Sequence, residues 1–173
     1  MSKPPTRAST PPRARNASDR VAQYVERARH AFEERNLRFT GLREQVFAEI
    51  AAVHGSIGAY EILDRLADKG TRLAPISVYR SIDALLDAGV IHRLESKNAY
   101  FACRRHEHAK DGRPIFLVCE LCGGVAEVPA QAVFDQINET ARGAGFEAKV
   151  KFVEVSGTCA KCARKKVASE ARR

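Results

Sequence analysis

Four of the five cysteines fall into two CxxC pairs, and this feature most constrains how the chain can fold. Cys119 pairs with Cys122 and Cys159 with Cys162, with 36 residues between the pairs. Two CxxC turns supply the tetrahedral set of sulfurs that zinc takes in closed structural sites. We therefore predict a structural zinc that joins the start of a C-terminal unit to its end. Four buried free cysteines, a redox-active pair and an iron–sulfur cluster remain alternative interpretations.

Length and composition describe a globular chain of one or two domains, with 173 residues of which 45% are apolar. No run of about 18 apolar residues occurs, and the segment from Met1 to Ser18 is rich in Pro and Arg. These features predict neither a transmembrane helix nor a signal peptide. We therefore expect a cytoplasmic protein without membrane contact, in which cysteines serve as metal ligands rather than disulfides.

The net charge of +8 is concentrated at the two ends of the chain. Residues 1–17 carry +4 and residues 160–173 carry +5, which leaves about −1 for everything between them. Such basic tails either attract phosphate non-specifically or keep the protein soluble. Specific recognition of nucleic acid would therefore have to come from the central part of the chain.

Apolar residues recur at helical spacing in four segments of the N-terminal half. The first runs from a cap at Ser18 to about Asn36, and the second begins after Thr40 and stops by Gly55. The third spans about 59–69 and the fourth follows Pro75 and stops at Gly89. Four short helices separated by tight turns predict a helix-turn-helix core.

After Gly89 the apolar period changes towards two, which predicts a β-hairpin with strands at about 90–95 and 99–103. A helical group closed by a hairpin is a winged-helix arrangement. Beyond it we expect strands at 114–118, 125–128 and 146–155, with a helix from about 130 to 142. The predicted fold class is α+β, with a winged helix-turn-helix domain followed by a small α/β unit around the four-cysteine zinc site.

A second group of metal-ligating side chains surrounds the remaining cysteine. Cys103 ends the second hairpin strand, His92 lies on the opposing strand, and His106 and His108 follow just downstream. Mixed nitrogen and sulfur ligation suits zinc and other divalent metals. From spacing alone, solvated or structural histidines explain the pattern equally well, and His30 and His54 are interpreted as structural.

The segments GAYEIL at 58–63 and SVYRSIDALLDAGVI at 77–91 resemble the winged helix of the ferric uptake regulator family, although Ser77 replaces the usual threonine. The CxxC pairs fall where that family's dimerisation domain has its structural zinc. The resemblance runs from about Arg20 to Cys162 and implies a homodimeric transcriptional repressor. It also implies a disordered basic tail at 1–17, a DNA-binding domain at 18–103, a dimerisation and metal-binding domain at 104–163 and a basic tail at 164–173.

Within this family the chain is most similar to the zinc uptake regulators. In that branch, the resemblance implies that His92, Cys103 and Glu127 bind a regulatory zinc together with a loop histidine, either His106 or His108. We therefore expect at least two Zn²⁺ ions per chain, one structural and one regulatory. The iron-type HHDH sequence is absent because Arg105 takes its second place, but an iron- or peroxide-responsive regulator remains the alternative within the family.

The resemblance also implies which side chains contact operator DNA. Tyr60 and Arg80 are expected to read bases, Tyr79 to touch the backbone beside Ser77, and Arg43 and Arg72 to contact phosphates. Without the resemblance, Tyr60 and Tyr79 would be interpreted as core aromatics. Asp64 matches the acid through which some zinc regulators join adjacent dimers, but Ala67 replaces the expected arginine.

The expected partners are double-stranded operator DNA and a second copy of the chain, with no small-molecule substrate. We expect the regulatory zinc to fasten the winged helix to the dimerisation unit and thereby fix the spacing of two DNA-reading heads. A zinc-dependent hydrolase is the alternative from another class, but the sequence has no HExxH motif and no HxE with PCxxC. A zinc-storing or purely interacting module is a further alternative.

Overall fold

The computed structural model describes residues 17–104, 113–149 and 152–170. Residues 1–16 of the predicted tail at 1–17 and both loop histidines, His106 and His108, lie outside these ranges, whereas Ala17 is described and belongs to a helix. Of the described part, no helix is both long and apolar enough to cross a membrane.

Four helices and a hairpin form the N-terminal half, as predicted. The helices are α1 (Ala17–Glu34), α2 (Gly41–Ala52), α3 (Ala59–Asp68) and α4 (Pro75–Asp87). Thr40 caps α2, because its side chain accepts a hydrogen bond from the backbone N–H of Arg43 at 3.4 Å. Gly70 and Gly89 follow α3 and α4 with φ of +84° and +69°, the left-handed conformation that ends a helix most easily at glycine.

The wing consists of β1 (Ile91–Leu94) and β2 (Ala99–Ala102), joined by a short 3₁₀ turn at Glu95–Lys97. The strands are antiparallel, with His92 opposite Phe101, and Tyr100 forms an additional bridge to Ile57 ahead of α3. One apolar core therefore joins the helices to the wing. Its fully buried side chains include Phe32, Val46, Phe47, Ile50, Ile62, Val78, Ile82, Leu85 and Ile91.

The C-terminal half contains a three-stranded sheet and two helices. Its strands are β3 (Pro114–Cys119), β4 (Val125–Pro129) and β5 (Glu154–Gly157), in the order β4-β3-β5. The β3–β4 pair is antiparallel and the β3–β5 pair is parallel. Helix α5 (Gln131–Gly143) makes the crossover between β4 and β5, and α6 (Ala160–Glu170) follows the last strand.

Two elements differ from the sequence-based expectation. The predicted strand at 146–155 is wrong for 146–149 and 152–153, which are irregular, because β5 pairs with β3 only from Glu154 onward. Phe146 and Phe152 belong to the apolar alternation ahead of β5, but both are exposed. Helix α6 was not predicted and includes much of the segment interpreted as a basic tail.

A second, smaller apolar cluster lies between the wing and the sheet. It comprises Leu94, Phe101, Phe116, Val118 and Val125, all buried. The wing contributes the first two residues, and β3 and β4 contribute the other three. The two halves of the chain are therefore packed against each other next to the wing.

Candidate metal centres and nucleic-acid interface

The structure brings the four CxxC cysteines together at one end of the three-stranded sheet. Cys119 is the last residue of β3, Cys122 ends the following turn, and Cys159 and Cys162 lie after β5 at the start of α6. Parallel pairing of β3 with β5 brings Cys119 opposite Gly157, so both cysteine pairs start from the same edge. All four sulfurs lie within 4.8 Å of one another.

This four-cysteine site has the dimensions of a tetrahedral zinc site. With Zn–S bonds of about 2.3 Å, the sulfurs of a regular tetrahedron lie about 3.8 Å apart. The Cys122 and Cys159 sulfurs are separated by 3.9 Å. The chain therefore already holds these thiols at a spacing that a single zinc ion can bridge.

The electrostatics of the four-cysteine site also favour a bound cation. The backbone N–H of Cys159 donates to the Cys119 sulfur at 3.3 Å and, with that of Cys122, lowers the pKa of the Cys119 thiol to about 6. Hydrogen bonding to Cys159, together with burial, raises the pKa of Cys162 to about 12. Cys119 therefore ionises more readily than Cys162, and a bound divalent cation would favour the thiolate form of both.

The second group of ligands spans the boundary between the two halves. His92 lies on β1, Cys103 directly follows β2, and Glu127 lies on β4. One potential ligand atom from each residue lies within 4.8 Å of the others. We call this group the interdomain site, and it matches three of the residues that the resemblance implied.

Distances in the interdomain site also fit a zinc ion. Glu127 Oε2 lies 3.6 Å from Cys103 Sγ and 3.7 Å from His92 Nε2. Tetrahedral zinc with ordinary Zn–S, Zn–N and Zn–O bonds would place such pairs about 3.4–3.6 Å apart. Three protein ligands leave one position of a tetrahedron, and His106 and His108, the residues expected there, lie outside the described residues.

Aromatic rings and the backbone hold the interdomain ligands in place. The His92 ring packs 5.4 Å from the Phe101 ring and 5.1 Å from the Phe116 ring, measured between centroids. The Glu127 side chain is only 1% exposed, and its Oε1 accepts the backbone N–H of Arg104 at 2.8 Å. The Arg104 hydrogen bond therefore holds the carboxylate with its other oxygen, Oε2, facing the Cys103 thiol and the His92 imidazole. Glu127 is in this sense preorganised as a metal ligand.

The residues expected to contact DNA lie on α2, α3 and α4 and in the loop ahead of α4. Tyr60, at the start of α3, is 69% exposed, so its interpretation as a core aromatic is wrong. Tyr79 and Arg80 are also exposed, in the N-terminal part of α4, and Ser77 is half-buried beside them. Arg72, just ahead of α4, is exposed, whereas half-buried Arg43 donates a hydrogen bond to the Arg38 carbonyl.

Sequence reasoning missed three side chains near these sites. Glu154, at the start of β5, accepts the backbone N–H of Glu95 at 2.6 Å and the Ser96 hydroxyl, so the sheet holds the tip of the wing. His54, interpreted as structural, lies 3.9 Å from the Cys122 sulfur, and the Arg104 guanidinium donates to its carbonyl at 3.0 Å. Their sequence neighbours give no signal, since all these contacts join distant segments.

Comparison with known proteins agrees with this geometry. The zinc uptake regulation protein of Escherichia coli K12 is 34% identical over 129 residues, which are 75% of each chain. That of Mycobacterium tuberculosis H37Rv is 26% identical over 73% of this chain and 95% of its own. A structure of a zinc uptake regulator complexed with zinc and DNA superposes with a TM-score of 0.74 at 30% identity, covering 85% of this chain and 97% of the other.

A second solved structure, the holo form of XcZur, superposes with a TM-score of 0.70 at 36% identity and covers 82% of this chain and 98% of the other. The sequence profile of the ferric uptake regulator family matches residues 34–156. This match includes α2 to β4, α5, all but the last residue of β5, the three ligands of the interdomain site and the first CxxC pair. The chain belongs to the ferric uptake regulator family and is a transcriptional regulator rather than an enzyme.

Proposed function

We propose that this chain is a zinc-responsive repressor that binds palindromic operator DNA as a zinc-loaded homodimer and controls zinc uptake genes. The observation that carries the proposal is the interdomain site, whose ligands come from both the wing and the sheet. A metal bound there favours arrangements in which the two halves are joined. In a dimer, such a preference fixes the spacing of two DNA-reading heads and raises apparent operator affinity.

Zinc is the metal that this ligand set suits best. Cys103 supplies a thiolate, His92 an imidazole and Glu127 a carboxylate, and zinc accepts all three in tetrahedral sites. The similar proteins from E. coli and M. tuberculosis are zinc uptake regulation proteins, and one similar structure contains zinc and DNA. We assign the four-cysteine site to a permanently bound structural zinc and the interdomain site to the regulatory one. Either His106 or His108 completes the regulatory site.

The exposed residues at the start of α3 and α4 are proposed to contact the operator. Arg80 can donate two hydrogen bonds to guanine, and Tyr60 offers a ring to the thymine methyl and a hydroxyl to phosphate. Tyr79 and Ser77 lie on the same end of α4 and are assigned to the DNA backbone. Arg72 and Arg43 are assigned to phosphates, the latter after release of the Arg38 carbonyl.

An apolar face of the sheet is proposed to pack against a second copy. Register places Ile115 and Leu117 of β3 on the same face as Ala126 and Val128 of β4, opposite the buried Phe116 and Val118. Leu117 is 38% exposed, and its β5 neighbour Val155 is 45% exposed. An exposed apolar sheet face of this kind is typical of an interaction surface, which supports the homodimer.

The test is operator binding measured by fluorescence anisotropy across buffered free zinc and free iron(II), with metal counted per chain. We expect binding that requires zinc, at two or more zinc ions per chain. The Cys103→Ser variant should remain folded and keep the structural zinc but respond weakly to added zinc. Binding that ignores zinc and follows iron(II) would contradict the proposal, as would an unchanged zinc response in Cys103→Ser.

DNA recognition is tested separately with Arg80→Ala. Loss of a bidentate base contact costs about 1–3 kcal/mol of discrimination, and a homodimer loses one such contact in each half-site, so specific binding should fall about 30-fold or more at any zinc concentration. The matched control is Arg142→Ala, which removes the same charge from an exposed position on α5. Full specificity in Arg80→Ala would show that α4 does not read the operator.

A further inference from the structure

The loop after α2 makes a contact with the four-cysteine site that neither metal site requires. His54 belongs to the DNA-binding half, yet its Nε2 lies 3.9 Å from the sulfur of Cys122. Hydrogen bonds to sulfur are longer than those to oxygen, and this separation suits an imidazole N–H that donates to a thiolate. The contact is separate from the interdomain site, since none of His92, Cys103 and Glu127 takes part in it.

Close backbone packing shows that this contact is built into the fold. A Cβ atom on Gly55, the residue after His54, would lie only 2.1 Å from the carbonyl oxygen of Gly123. A Cβ on Gly124 would lie 2.9 Å from His54 Nε2 and 3.3 Å from the Cys122 sulfur. Glycine is therefore required at position 55, where the loop meets the backbone of the CxxC turn, whereas a side chain at position 124 would push His54 away from the Cys122 sulfur.

Arg104 connects this contact to the interdomain site. Its guanidinium donates to the His54 carbonyl at 3.0 Å, and its backbone N–H donates to Glu127 Oε1 at 2.8 Å. Glu127 uses its other oxygen to face Cys103 and His92. A continuous path of polar contacts therefore runs from the interdomain site through Glu127, Arg104 and His54 to Cys122.

We infer that His54 donates an N–H···S hydrogen bond to the Cys122 thiolate of the metal-loaded four-cysteine site, and that Arg104 couples this bond to occupancy of the interdomain site. A zinc ion with four thiolates carries net negative charge, so a donor from outside the site stabilises it, as partners of metal ligands commonly do. His54 is thus a positioning residue. The inference rests on the proposed function only in that both sites bind metal.

The geometry predicts that metal at the interdomain site and seating of His54 favour each other. Metal at the interdomain site fixes Glu127, which holds the Arg104 backbone, and the Arg104 side chain then holds the loop of His54 against the CxxC turn. Linkage is reciprocal, so seating of His54 also favours metal at the interdomain site. The four-cysteine site thereby provides a second anchor for the DNA-binding half.

The test uses the full chain with cobalt(II) in the four-cysteine site, read by its thiolate-to-cobalt charge-transfer band. A Cys103→Ser background removes the only other cysteine of the sequence from the spectrum. His54→Leu should move the band to longer wavelength, because a thiolate without its hydrogen-bond donor gives up charge more easily. His54→Gln keeps an N–H donor and should restore the parent band. Zinc loss to a chelator should be about tenfold faster in His54→Leu than in His54→Gln.

Coupling is measured in the chain with Cys103 intact and cobalt(II) in the four-cysteine site. Zinc added at one equivalent and read before it exchanges with the cobalt, as judged by an unchanged band intensity, should fill the interdomain site and shift the band. Arg104→Gln should abolish that shift. The control is Glu154→Gln, which weakens another contact between the halves at Glu95 and Ser96 but leaves the path through Arg104 intact, so the shift should persist.

Several results would overturn the inference. A parent-like band and zinc-loss rate in His54→Leu would show that His54 makes no bond to the sulfur, and equal behaviour of the Leu and Gln variants would exclude a donor role. A zinc-induced shift that survives Arg104→Gln would remove the coupling. A chain whose operator binding ignores zinc but which shows these band shifts would contradict the proposed function while supporting the inference.

Discussion

Replacing Glu127 with glutamine distinguishes a metal ligand from a structural carboxylate, because the two roles predict stability changes of opposite sign. The side chain is 1% exposed, and its Oε1 accepts the backbone N–H of Arg104. Glutamine has the same shape and keeps that acceptor. It removes the charge that Oε2 directs towards Cys103 and His92.

Without metal, the general rule applies that taking a carboxylate out of water costs more free energy than taking out a neutral amide of the same shape. We expect Glu127→Gln to raise the free energy of unfolding of the chain with an empty interdomain site by about 1–2 kcal/mol. For a chain of this length, such a change raises Tm by about 2–8 °C.

With zinc, the stability advantage of the variant should shrink or reverse. Loss of a residue that hydrogen-bonds to a metal ligand typically weakens metal binding about 10- to 100-fold, and loss of a ligand itself should weaken zinc binding at least as much. That factor corresponds to about 1.4–2.7 kcal/mol of zinc-dependent stabilisation that Glu127→Gln should lack at saturating zinc. Zinc should therefore raise the Tm of the parent chain by more than that of the variant.

Thermal unfolding measures both the stability change without zinc and the stabilisation by zinc. The four-cysteine site is kept loaded, and the interdomain site is either emptied by a mild chelator or saturated with zinc. Glu120→Gln is the control, since it removes an exposed carboxylate from the neighbouring CxxC turn. A variant that is less stable than the parent without metal, and that gains as much from zinc, would refute the assignment of Glu127 as a ligand.

Three further substitutions test separate parts of the structure. Phe116→Leu removes the ring that packs 5.1 Å from the His92 ring. It should lower the free energy of unfolding in chemical denaturation by about 0.5–1.5 kcal/mol and weaken zinc binding at the interdomain site. Unaltered zinc affinity would contradict the role of the ring. If the proposed dimer forms through the sheet face, Leu117→Glu should give a monomer in sedimentation, whereas Leu121→Glu, on the exposed CxxC turn, should not. Equal masses for the two variants would place the proposed interface elsewhere. Cys162→Ser should lose one zinc per chain by elemental analysis and speed amide exchange in β3, and retention of that zinc would exclude a four-sulfur site.

The winged helix was predictable because each of its elements carries a local signal. Helical periodicity, a threonine cap at Thr40, a proline at the start of α4 and glycines after α3 and α4 each define an element within a few residues. The CxxC pairs were equally local. The ligand group of the interdomain site was identified through resemblance, and the structure brings three of its residues together.

The remaining features depend on contacts between distant segments, which leave no periodic pattern. Alternation at 146–155 indicates an apolar side of an extended segment, but only residues from Glu154 onward find a pairing partner in β3. Contacts of Glu154 with the wing tip and of His54 with Cys122 join residues that are 59 and 68 positions apart. Nothing in the sequence around either residue distinguishes it from an ordinary surface carboxylate or histidine.

The interface between the two halves combines three kinds of contact, and their relative strength determines how zinc can act. An apolar cluster, the Glu154 contact at the wing tip and the His54 contact at the CxxC turn hold the halves together through protein groups alone. A ligand that shifts a conformational equilibrium from 1:99 to 99:1 must favour one state by about 5.5 kcal/mol, whereas typical couplings are about 1–3 kcal/mol. Zinc at the interdomain site can therefore switch the chain only if, without zinc, these protein contacts leave the joined and the separated arrangements of the two halves close in free energy. Substitutions that strengthen them should produce a repressor that binds its operator without zinc, and substitutions that weaken them should raise the zinc concentration needed for binding, with no change in the residues that contact DNA.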